Sequence, residues 1–267
     1  MKKRSQINPV KKIFMREWTY AEFLPCKELQ DIVACYWHIV LHKNNRQRLS
    51  PDGYTDVIFD FQAGTIIVAG LIHKPYMADL TEGSRFIGVK LRTGAFYSLF
   101  RSPAGFFADR MVSLKSLIGE DSRRFEKVFS AKTFPARLRI IESNLKQLAE
   151  KSIPMDKKIK AAVENICKSK GQIKISELTR LTGMSERQFE REFDKWVGIR
   201  PKIFCANIRF EQALQLLKSQ PERGLLNIAL ESGYHDQAHL VADFKKFRGK
   251  APSQFKEIAR LLKCRKP

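Results

Sequence analysis

The last third of the chain carries one pattern twice, and no other feature limits its fold as strongly. Phe193 recurs 51 residues later as Phe244, Gly198 as Gly249, Pro201 as Pro252 and Phe204 as Phe255, while Phe189 recurs as Leu240. Ahead of these positions the offset is 50, so Leu178 matches Ile228 and Gly183 matches Gly233, and the second copy needs a turn one residue longer. Each copy reads as a short helix, a glycine turn and a second helix. Two copies are too few for a solenoid, which needs three or more repeats to cover its stacked faces. A pair of helix-turn-helix units on a strongly basic chain points instead to two contacts with DNA.

The charge agrees. The 267 residues carry 49 Lys and Arg against 28 Asp and Glu, a formal net charge of +21. The excess is denser after residue 150, where the repeat lies. Such a surface attracts phosphates and gains affinity by releasing counterions. Cys26, Cys35, Cys167, Cys205 and Cys264 are odd in number and include no CxxC pair. A secreted disulfide framework and a zinc site are therefore not expected, and reduced thiols in the cytoplasm are. The basic N-terminus lacks the apolar run of a signal peptide, and no stretch reads as a membrane span. There is no G-x-S-x-G, P-loop or H-E-x-x-H string, and no catalytic residue, metal site or cofactor is expected.

The expected fold class is α+β, an antiparallel β-rich front followed by an all-α back with two helix-turn-helix motifs. Residues 1–15 read as a flexible basic tail. From 16 to 118, Val33, Cys35, Trp37, Ile39 and Leu41 alternate as a half-buried strand does. Val57, Phe59 and Phe61 form a second alternating set, and Ile87, Val89 and Leu91 a third. Residues 65–71 are a short apolar run, and Pro51, Asp52 and Gly53 form a turn. Several short strands separated by turns predict a sandwich or barrel. Residues 94–102 predict a short helix. Residues 119–152 read as a helical linker, with Leu138, Ile141, Leu145 and Leu148 on one face, and 153–267 as the DNA-binding domain. His38 and His42 share a strand face with His73 nearby in sequence, a weak metal alternative. Asp56 and Asp60 alternate outward.

In the first unit, Ser176 is expected to cap the positioning helix and Ser185 the next one. The second helix buries Phe189, Phe193, Trp196 and Val197. Arg187 and Arg191 lie about 160–200° from Phe189, four residues apart on the open face of the first two turns. There a recognition helix meets base edges, and arginine forks onto guanine O6 and N7. Glu190 either accepts from a cytosine amino group or holds an arginine in place. Ser185, Glu186, Gln188 and Lys195 complete the expected DNA-facing set. Pro201 opens a long connecting helix whose buried stripe is expected to be Ile203, Ala206, Phe210, Ala213, Leu214 and Leu217. In the second unit, Asp236 caps a helix whose outer face is Ala238, Val241 and Ala242, flanked by Gln237 and His239. That face either touches thymine methyls or reads bases weakly. Lys245 and Lys246, with Arg248 and Lys250, suit phosphates, which position without specifying.

From about Ile173 to Lys256 the chain resembles the DNA-binding domain of the AraC/XylS transcription regulators. The resemblance rests on Leu178, Gly183, Ser185, Phe189, Arg191, Phe193, Gly198, Pro201, Phe204, Arg209 and Ala213. It continues through Ile228 and Ala229, and then through Gly233, Tyr234, Asp236, Gln237, His239, Phe244, Lys245, Gly249, Pro252 and Phe255 within the string GYHDQAHLVADFKKFRGKAPSQF. It implies two units joined by one long helix, entering successive major grooves of double-stranded DNA. Ala242 departs from the family's frequent arginine, and Arg200 and Ala251 from its usual serine or threonine. The front resembles the β-rich domain of some such regulators through Tyr36, Trp37, the string LSPDGYTDVIFD, Gly70, Pro75 and Gly88 to Leu91. That implies a small-molecule effector or a homodimer as the controlling partner. A rival is a DNA-alkylation repair methyltransferase with an AraC-like domain. Such chemistry needs an activated cysteine, and Cys26, between Pro25 and Lys27, is the nearest approach.

Overall fold

The computed structural model describes residues 8–49, 51, 53–72 and 74–255. The expectations placed on Asp52, His73, Cys264 and Lys256 lie outside the described residues. The front of the chain is antiparallel: β1 (Lys11–Phe14), β2 (Trp18–Phe23), β3 (Val33–Leu41), β4 (Asn45–Leu49), β5 (Thr55–Asp60), β6 (Thr65–Ala69), β7 (Tyr76–Leu80), β8 (Arg85–Leu91) and β9 (Met111–Ser113). Among the described residues one sheet runs β1-β2-β3-β8-β5-β6-β9, and β4 pairs with β7 as a separate ribbon. Part of the expected tail is therefore ordered structure. Lys11 to Phe14 pair with Glu22 to Thr19 at the sheet edge, because Ile13 and Phe14 supply a strand that backbone bonds to β2 complete.

The sheet's inner face carries Ala21, Phe23, Tyr36, Val57, Phe59, Ile87 and Val89. Alternation at Val57 and Phe59 and at Ile87 and Val89 predicts β5 and β8, because period-2 burial is what a strand with one covered face shows. In β3 a register shift between Val33 and Cys35 puts Tyr36 in the core and leaves Cys35 and Trp37 of the expected set half-buried. The cover comes from α1 (Ala95–Phe100), α2 (Leu114–Ile118), α3 (Arg123–Ser130) and α4 (Phe134–Glu150). Leu138, Ile141, Leu145 and Leu148 of α4 are buried in the same core as the strands. Phe23 meets Phe134 at 4.4 Å between ring centroids, and Phe59 meets Phe125 at 6.2 Å. The helices read as a linker are thus packed onto the sheet over their whole length.

His38 and His42 do not converge. The His38 ring lies 5.2 Å from that of Phe134 in the core, while His42 Nε2 is 2.7 Å from Thr19 Oγ1. Among the described residues no group of three His, Cys, Asp or Glu side chains stands close enough to share a metal. Asp56 accepts the Trp37 indole N–H at 2.7 Å, and Asp60 accepts the backbone N–H of Gln62 and Ala63.

The back is helical: α5 (Lys157–Lys168), α6 (Ile175–Thr182), α7 (Glu186–Val197), α8 (Pro201–Ser219), α9 (Leu225–Glu231) and α10 (Gln237–Arg248). The molecule is an α+β chain with a β-rich front and two helix-turn-helix units behind it. Each unit has its own apolar centre, one around Phe189, Phe193 and Phe204 and the other around Phe210, Leu240 and Phe244. The long helix α8 serves both. Its buried residues are Pro201, Phe204, Cys205, Phe210, Ala213, Leu214, Leu216 and Leu217. Ile203 is exposed and Ala206 only half-buried, against the expected stripe. The covered side changes near Phe210 because the helix leaves one core and enters the other, which a single periodic stripe does not anticipate.

Candidate nucleic-acid interface

The turn between α6 and α7 depends on backbone geometry. Gly183 ends α6 at φ +63°, a left-handed conformation that glycine adopts without a Cβ clash. Ser185 Oγ then accepts the N–H of Gln188 at 3.3 Å and opens α7. Ser176, expected as the cap of α6, lies inside its first turn. Lys174 occupies the cap position with no side-chain bond, since the helix starts two residues earlier than the cap pattern suggested. In the second unit Asp236 Oδ1 accepts the N–H of His239 at 2.7 Å. That backbone bond holds the Asp236 carboxyl below its usual range, so the cap stays ionised near neutral pH.

On α7 the buried side carries Phe189, Phe193, Trp196 and Val197. Glu186, Arg187, Gln188 and Arg191 are exposed on the other side and Glu190 is half-exposed. Arg191 Nη2 stands 3.3 Å from Glu192 Oε1, and its side chain remains 73% exposed. The carboxylate holding this arginine is therefore Glu192, not Glu190. Glu192 also lies 3.5 Å from Lys195 Nζ. Lys195 is engaged by the front domain. Its ammonium sits 5.0 Å above the Tyr97 ring of the front domain, and hydrogen bonding to Tyr97 raises its pKa. The spacing of charges along α7 signals Glu192 only as a neighbour of Arg191, and nothing local signals Tyr97.

On α10, Leu240, Phe244 and Phe247 are buried. Gln237, Ala238, His239 and Ala242 are exposed and Val241 is half-exposed. The His239 ring stands edge-on to Tyr234 at 5.0 Å. Lys245 and Lys246 are exposed in the last turn, where cations oppose the negative end of the helix dipole. The outer faces of the two helices differ as the overlay of the repeat implies: two arginines on α7, alanines at the matching positions of α10.

The units are tied at one joint. Arg209 of α8 donates from Nη1 to the Gly171 carbonyl at 2.7 Å, and its guanidinium lies 6.0 Å from the centre of the Tyr234 ring in the second unit. A rigid 19-residue helix with this brace fixes how far apart the two outer faces stand.

Cys26 does not sit in a setting that activates a thiol. Burial and the Glu142 carboxylate push its pKa up, whereas a nucleophilic cysteine needs it lowered.

Residues 178–258 match the family described as a helix-turn-helix domain, and residues 21–113 match a domain of unknown function (DUF6597). An uncharacterized HTH-type transcriptional regulator of Haemophilus influenzae is 37% identical over 87 residues, which are 33% of this chain and 29% of that protein. The HTH-type transcriptional regulator MtrA of Neisseria gonorrhoeae is 27% identical over 103 residues, 38% of this chain and 34% of that protein. The chain thus spans about a third of the length of these curated relatives. Among solved structures, ToxT of Vibrio cholerae is 11% identical, with 92% of this chain and 99% of that one covered, at a TM-score of 0.45. By these family matches, the chain carries a helix-turn-helix domain behind a domain of unknown function at its front.

Proposed function

We propose that the protein is a sequence-specific, double-stranded-DNA-binding transcription regulator that works by binding rather than catalysis. It seats α7 and α10 in successive major grooves, and a small-molecule effector or self-association acts through the front domain. The observation that carries the reading is the placement of Arg187 and Arg191, both solvent-facing in the first turns of a capped helix on a duplicated scaffold. Ser185, Glu186, Gln188 and Glu190 line the same end of α7. In this reading α7 chooses bases and α10, through Lys245 and Lys246, chiefly holds the phosphate backbone. Gln237, Ala238, His239 and Ala242 make only light contact with base edges.

The test uses a duplex selected from random DNA by the full chain. Replacing Arg187 and Arg191 with alanine removes two arginine forks, each worth about 1–3 kcal/mol of discrimination. The preference for the selected duplex over random DNA should fall by about a hundredfold or more, with a much smaller loss on random DNA. Equal losses on both would sink base reading by α7.

A further inference from the structure

The two units end differently where their recognition helices meet the rest of the chain. In the second, Phe247 packs 4.7 Å from Phe210 of its own core, and what the front domain places beside Gly249 is the flexible guanidinium end of Arg48 in β4. In the first, the equivalent positions Trp196 and Gly198 are covered by the front domain. Tyr97 of α1 stacks edge-on to Trp196 at 4.6 Å. Leu71, which follows β6, is buried inside the first unit's core. A Cβ at Gly198 would stand 3.0 Å from Leu71 and 3.1 Å from Ala104.

The covering surface is itself fixed. Asp109 donates its N–H to the Leu71 carbonyl at 2.9 Å. Ser98 Oγ donates to the Ile153 carbonyl at 2.6 Å, and Ile153 returns its N–H to Ser98 at 3.1 Å. At Gly105, in the 3-10 turn Ala104–Phe107, an added methyl would overlap the Asp194 carboxylate of α7. All these contacts fall on the C-terminal half of α7. Arg187 and Arg191, on the N-terminal half, remain open.

From this asymmetry we infer that the front domain completes the first reading unit, with Tyr97 as a positioning residue for α7. The aim of Arg187 and Arg191 is then set from the front domain, while α10 is aimed by its own core. A change at the Tyr97 seam therefore alters base choice at the α7 half-site and leaves the α10 half-site alone. The inference rests on the DNA-reading proposal above.

The experiment compares the full chain with Tyr97→Ala and Tyr97→Phe on the selected duplex and on duplexes with single base changes. The positions belonging to α7 are those whose changes cease to matter in Arg187→Ala. Tyr97→Ala should lower discrimination at these positions by about three- to tenfold, the range an aromatic pair of this geometry carries. It should leave the other positions unchanged, and Tyr97→Phe, which keeps the stack, should read as the unsubstituted chain does. Unchanged discrimination, or an equal loss at all positions, overturns the inference. If Tyr97→Ala fails to fold, Gly105→Ala, which wedges the same seam at Asp194, carries the same comparison. If selection returns no preferred duplex, the DNA-reading proposal falls and this inference with it. Selection followed by unchanged discrimination removes the inference alone.

Discussion

At the scale of single residues, most of the chemistry is set by what each side chain is packed against. His38 is the clearest case. Burial, and then the Arg137 and Arg85 cations, lower its pKa from 6.5 to about 4. The unfolded chain takes up a proton as pH falls below about 6.5, which the folded chain refuses until about 4. The stabilisation is therefore complete above that window and is lost as pH falls through it. The urea midpoint should drop across the same window, and His38→Phe, which keeps a ring against Phe134, should show a smaller drop. An equal drop in both proteins would remove His38 as the cause. The alternation in β3 makes this residue legible as a strand residue, but not its partner Phe134, which lies far along the chain. The same limit applies to Lys195. Its place on α7 is readable from helical period, while its contact with Tyr97 depends on how two domains meet.

At the scale of elements, the amphipathic pieces were readable and the polar ones were not. Strands β5 and β8 announce themselves because one face is buried, whereas the shift between Val33 and Cys35 in β3 moves the core face to Tyr36 and hides it from simple alternation. The ribbon of β4 and β7 is built from NRQRL and YMADL, half-exposed at alternate residues with exposed Arg46, Arg48, Met77 and Asp79 between. Its pairing comes from backbone bonds, which leave little trace in side-chain pattern. The helix-turn-helix elements were legible because glycine turns, caps and apolar spacings agree twice over. The turn lengths were less so: three residues separate α6 from α7, and five separate α9 from α10. The division of labour between α7 and α10 gives a prediction at this scale. Each phosphate contact contributes about 0.9 to the slope of log affinity against log salt. Replacing Lys245 and Lys246 with alanine should flatten that slope by about 2 if both lysines meet phosphates, with preference among sequences kept. An unchanged slope would place these lysines off the DNA.

At the scale of the whole molecule, the repeat fixed the architecture of the back, and the charge of +21 agrees with the DNA partner we propose. Neither reveals that the front domain is packed into the first unit, because that contact joins Leu71 and Tyr97 to residues more than 90 positions later. The braced helix α8 makes the two outer faces a rigid pair, so the DNA must present its two half-sites on one side and at one spacing. Inserting about half a helical turn, roughly 5 base pairs, between the half-sites of the selected duplex rotates one away from the protein. The account predicts that this duplex loses only the light preference read by α10 and stays well above random DNA, because α7 keeps its half-site and α10 still meets phosphates, and that base changes in the displaced half-site no longer matter. Affinity at the level of random DNA would contradict base choice by α7, and continued dependence on the displaced half-site would contradict a rigid two-groove reader.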